Sequence, residues 1–134
     1  MYELVHHTAD VRLRVRAGTA EDLFRDAMHG LYAVMRGEGE EGSASVTRTI
    51  AVDDSADTTA LLVDFLNEVL HRAHIGRELF TAVTFSRFDA DSLTAELTGI
   101  APASFEEDVK AVTYHEADVR QEGEGWTTML VFDI

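Results

Sequence analysis

Three short stretches of this chain put polar, chemically capable side chains where a plain strand should run. The first is His6-His7-Thr8-Ala9-Asp10, which interrupts an apolar strand that resumes at Val11. The second is Lys110-Ala111-Val112-Thr113-Tyr114-His115. The third is Leu130-Val131-Phe132-Asp133-Ile134, where an aspartate stands next to the last residue of an apolar run. A carboxylate in such a run is costly unless it is paired or ligated. The α-carboxylate of Ile134 adds a second anion beside Asp133, so a cation belongs nearby or one group must hold a proton. A divalent metal or Lys110 would satisfy the pair. Carboxylate and carbonyl oxygens are hard donors, suited to calcium, magnesium or manganese rather than zinc.

Each stretch also has a plain structural reading. Asp10 could cap the turn before its strand. His7 and His115 could be histidines satisfied by backbone groups. Asp133 could sit in water at a frayed end, and Lys110 could be an edge-strand charge. The usual catalytic signatures are absent: no Walker loop, Gly-x-Ser-x-Gly elbow, His-Glu-x-x-His pair or dinucleotide fingerprint occurs. With no cysteine in the chain, disulfide scaffolds, thiolate zinc sites and cysteine nucleophiles are excluded.

The elements that must position these groups follow from hydrophobic periodicity. Val11, Leu13 and Val15 alternate with three arginines, which predicts a half-buried strand. Thr19 with Asp22 resembles a capping box, and the apolar stripe from Leu23 to Met35 predicts a helix. Residues 37–43 are acidic and glycine-rich and read as a flexible loop. Residues 46–52 read as a strand. Asp57 or Thr58 should cap a second helix with its stripe at Leu61, Leu62, Phe65, Leu66, Val69 and Leu70, stopping near Gly76. His71 and His74 fall in its last turn, where a cation suits the helix dipole. Residues 82–88, 93–99, 109–120 and 126–134 read as strands, with hairpin turns at residues 89–92 and 123–125. The expected fold is α/β in the α+β sense: a two-layer sandwich with a mixed sheet of about six strands. Two helices cover one face of that sheet, in a single domain over residues 1–134.

The 134 residues carry 11 Lys plus Arg against 25 Asp plus Glu, a formal charge of −14. That balance disfavours broad contact with RNA or DNA and permits a basic protein partner. No apolar run reaches the roughly 18–20 residues of a membrane span, and no signal-peptide pattern opens the chain, so a cytoplasmic protein is expected.

Taken together, four blocks resemble the archease family, small proteins that activate the RtcB-type tRNA-splicing RNA ligase. They are His7-Thr8-Ala9-Asp10-Val11; Leu61-Leu62-Val63-Asp64-Phe65-Leu66-Asn67-Glu68; Val109-Lys110-Ala111-Val112-Thr113-Tyr114-His115; and the ending Asp133-Ile134. The resemblance implies a non-enzymatic protein cofactor in tRNA splicing and RNA repair. Such a cofactor promotes guanylylation of a GTP- and manganese-dependent ligase and its multiple turnover. It further implies a metal site, calcium being the first choice, at Asp10, Asp133 and Ile134. Lys110 would be the residue needed for activation, with His7, Thr8, Tyr114 and His115 as neighbours. Two departures stand out: Arg12 replaces the family's usual glycine, and residues 101–108 lack a histidine common there. The alternatives are a general protein-binding or chaperone module, or a metal-dependent phosphohydrolase built on Asp10, Asp133 and His115.

Overall fold

The computed structural model describes residues 1–6 and 10–134, with residues 5 and 6 described by their backbone alone. Strand β1 (Tyr2–His6) pairs with β2 (Asp10–Ala17). Helix α1 (Ala20–Met35) follows, and Thr19 caps it by accepting from the Asp22 N–H at 3.1 Å. Strand β3 (Gly37–Val52) leads to α2 (Thr58–Gly76), capped by Asp57, which accepts from the Ala60 N–H at 2.8 Å. Strands β4 (Leu79–Phe88) and β5 (Leu93–Phe105) form a hairpin. The short strands β6 (Ala111–Thr113) and β7 (Arg120–Glu122) precede β8 (Gly125–Asp133).

The α+β class and both helices agree with the sequence reading. The single mixed sheet does not. Among the described residues there are two sheets, and every pairing is antiparallel: β1-β2-β8-β6, with β7 also on β8, and β3-β5-β4. The reason lies in α2, which does cross over between two strands running the same way, β3 and β4. Strand β5 then inserts between them, antiparallel to both, so no parallel pair forms. A crossover constrains direction, not adjacency.

Two other segments differ from expectation. Residues 37–43, expected as a loop, open β3: Gly37, Glu38 and Gly39 pair with Phe105, Ser104 and Ala103 before the register shifts between Gly39 and Ala44. Ladder bonds need backbone, not apolar side chains, and the irregular stretch is eased by Gly42 at φ 82°. Residues 109–120, expected as one strand, break into β6 and β7. The break is a turn in which Ala117 N–H donates to Tyr114 O at 3.1 Å, with Glu116 left-handed at φ 62°.

One apolar core unites both sheets and both helices, with Leu13, Phe24, Phe65, Leu97, Leu130 and Phe132 fully buried. Phe24 lies 5.9 Å from Phe65 and 4.8 Å from Phe88, centroid to centroid. No helix among the described residues is long and apolar enough to cross a membrane.

Helix α2 also grips the segment that carries Lys110. Asn67 donates to Val112 O at 2.8 Å and accepts from Val112 N–H at 2.9 Å, behaving as a substitute strand on the outer side of β6. His74 Nε2 donates to Val109 O at 2.9 Å. Tyr114 OH donates to Asp64, and Val119 N–H donates to Thr59 Oγ1 at 2.9 Å. Four positions along one helix thus fix the path of the chain through residues 109–119.

Two outcomes follow from this grip. Asn67→Ala strands both backbone groups of the buried Val112 and should cost about 2 kcal/mol, read as a lowered melting temperature. The Tyr114 phenol holds its proton above the usual tyrosine range, first because it donates to Asp64, then because of partial burial and the carboxylate's charge. A raised value means this contact is fully present below the ordinary tyrosine pKa and lost as pH rises through the folded value. Alkaline melts of wild type and Tyr114→Phe should therefore converge as Tyr114 ionises, and a constant gap would contradict the contact.

Candidate functional site at the end of the five-stranded sheet

The site grows out of the register of β8. In β2, Val11, Leu13 and Val15 point into the core, while Asp10, Arg12, Arg14 and Arg16 lie on the opposite, open face. Apolar pairing across the strands sets Val11 opposite Phe132 and Leu13 opposite Leu130. That register makes Asp10 the direct partner of Asp133. Opposed residues of an antiparallel pair share a face, their Cβ atoms about 4.5–5.5 Å apart. On the other side of β8, Asp133 is paired with Ala111, and the Lys110 N–H donates to Asp133 O at 2.8 Å. Residues far apart in sequence therefore meet at one end of one strand.

Lys110 is exposed, and its side chain lines a cleft of about 310 Å³ with Asn67, Leu70, His71 and His74 of α2. It forms no ion pair with Asp133 or Ile134, so it is not the counter-ion that the sequence allowed for. Lys110 precedes β6, and its side chain lies against α2 in that cleft.

Among the described residues, Arg12 is a cation that stands beside Asp10. Its Nε lies 3.9 Å from Asp10 Oδ1, and its guanidinium NH1 is 2.8 Å from Glu116 Oε2. Ile134 borders a second groove, of about 370 Å³, with Leu4, Val11, Val34, Arg36 and Glu107. His115 is exposed in the turn after β6. His7 and Thr8 lie outside the described residues. Among the described residues, no group of three His, Asp or Glu side chains gathers as a metal cage.

Sequence reasoning missed the roles of Asn67, Asp64 and Glu116. Asn67 had a readable signal: an amide bordering the apolar stripe of α2, close to Phe65, Leu66 and Val69. Asp64 and Glu116 had none, because their partners are Tyr114 and Arg12, distant in sequence.

Comparison with known proteins places the whole chain in one family. The model of the Archease protein family matches residues 2–134. A protein archease of Methanopyrus kandleri is 30% identical over 146 residues, covering 99% of both chains. One from Methanosarcina barkeri is 28% identical over 141 residues, 99% of this chain and 95% of that one. Among solved structures, the crystal structure of an archease and possible chaperone from Thermotoga maritima superposes with TM-score 0.67 at 19% identity. It covers 100% of this chain and 98% of the other. The solution structure of protein 1598 of Methanobacterium thermoautotrophicum gives TM-score 0.68 at 24% identity over 99% and 98%. The family model spans nearly every residue, including both aspartates and the only lysine, and the chain belongs to the archease family.

Proposed function

We propose that this chain is a cytoplasmic, non-enzymatic activator of an RtcB-type RNA ligase, acting in tRNA splicing and RNA repair by promoting guanylylation and multiple turnover. The observation that carries the reading is the convergence of three family blocks at the end of β8. Asp10 faces Asp133 across one ladder, and the Lys110 backbone bonds Asp133 across the other. Lys110 is the single lysine among 11 basic residues, is exposed, and is held by backbone bonds that leave its ammonium unpaired among the described residues. A flexible point charge differs in kind from a planar guanidinium. A net charge of −14 favours encounter with a basic, RNA-binding partner and leaves RNA contact to the ligase.

Asp10, Asp133 and an oxygen of Ile134 would hold a divalent metal, calcium first and magnesium or manganese as substitutes. The donor set fits: two carboxylates on one open face, all-oxygen chemistry and no thiolate in the chain. When bound, the metal would supply charge neutralisation at the end of β8. Two other readings are weaker. One is a general chaperone role; the Thermotoga maritima archease is described as a possible chaperone. The other is a metal-dependent phosphohydrolase built on Asp10, Asp133 and His115, which phosphatase activity of the purified chain would favour.

The deciding experiment is multiple-turnover ligation by the ligase with and without this chain, at fixed GTP and manganese. Lys110→Ala should stay within about 0.5 kcal/mol of wild-type stability, as an exposed side chain, yet lose stimulation of guanylylation. Lys110→Arg should rescue it poorly. Equal stimulation by wild type and Lys110→Ala would remove Lys110 from the mechanism. Protection of unrelated aggregating proteins, without ligase stimulation, would favour the chaperone.

A further inference from the structure

Arg12 occupies a position that the proposed metal site would not choose for itself. It lies two residues from Asp10 on the same open face of β2. Its guanidinium is hydrogen-bond close to Glu116 Oε2, at 2.8 Å, while its Nε faces Asp10 Oδ1 at 3.9 Å. The first distance is a charge-assisted contact; the second is electrostatic only. The Nε–H is shielded from solvent and has no hydrogen-bond acceptor among the described residues. Glu116 is itself held in place by the Tyr114–Ala117 turn, left-handed at φ 62°, and by the Tyr114–Asp64 bond. The carboxylate of Glu116 thus draws Arg12 away from another carboxylate that it nevertheless neighbours.

We propose that Arg12 is a built-in counter-ion that competes with a divalent cation for Asp10, and that Glu116 sets the outcome by holding Arg12 aside. The inference rests on the metal reading above and deepens it. A guanidinium roughly 4 Å from a ligand oxygen repels a divalent ion placed there, in a partly desolvated setting where charges are weakly screened. Without Glu116, the orphan Nε–H gains its acceptor by closing on Asp10, and the cation must then displace it. With Glu116, the guanidinium is already committed elsewhere and the repulsion is muted but not removed.

The test is calorimetric titration of the full chain with calcium chloride at low ionic strength, beside thermal melts. The variants are Arg12→Gln, Glu116→Gln, the double variant and Asp10→Asn. Arg12→Gln, which keeps most of the side-chain stem, should bind calcium about tenfold more tightly than wild type. Glu116→Gln should bind more weakly, and the double variant should match Arg12→Gln. Unchanged or weaker binding by a folded Arg12→Gln, with binding still lost in Asp10→Asn, would overturn the inference and leave the metal reading standing. Should Arg12→Gln fail to fold, unchanged or tighter binding by Glu116→Gln would overturn it alone. Calcium binding that ignores Asp10→Asn, or no binding by any variant, would remove the metal reading and this inference with it.

Discussion

Strand β8 is hydrogen-bonded on both sides, by β2 along its length and by β6 and β7 on the other edge. Its register is set by burial. Leu130 and Phe132 must face the core with Leu13 and Val11, and a slip by one residue would turn them all to solvent. That slip would carry several kcal/mol of lost burial for each large side chain pair. The position of Asp133 opposite Asp10 is therefore enforced by apolar residues that take no part in chemistry. The same register delivers the Lys110 backbone to Asp133 O.

Much of this was legible in local pattern. Thr19 and Asp57 cap the helices that their sequence neighbourhoods suggest, and the stripe from Leu61 to Leu70 is buried along its length. The two aspartates that break the apolar pattern at strand ends are register partners at one end of the sheet. The rest depended on which strands pair, which local periodicity does not encode. Strand β5 lying between β3 and β4 has no signature in any one segment. The left-handed Glu116 that splits residues 109–120 is a non-glycine in a glycine-like conformation, so no turn residue announces it. The acidic stretch of β3 misled for a related reason: charged side chains on a strand with one open side are compatible with a ladder.

Surface charge divides into two populations. Pairs such as Arg36–Glu106 and Arg77–Glu40 tie together exposed side chains, and each contributes little to stability. Glu78 is different, being buried at 5% exposure with Arg48 Nε 2.9 Å away. Removing Arg48 would leave a carboxylate in the interior with its charge unmet. The excess of acid is thus mainly a property of the long-range field, which acts on encounter rates rather than on the fold.

The contact of Asn67 with Val112 has a consequence for self-association. Strand β6 is at the margin of its sheet, and a marginal strand offers unsatisfied backbone groups to any extended chain that meets it. Here the amide of Asn67 already occupies both polar groups of the central residue of that three-residue strand. An intruding strand would have to evict a side chain anchored on a helix before it could add to the sheet. A single amide therefore serves as a plug against runaway strand addition, and its loss would expose the protein to templated aggregation beside the very segment that carries Lys110.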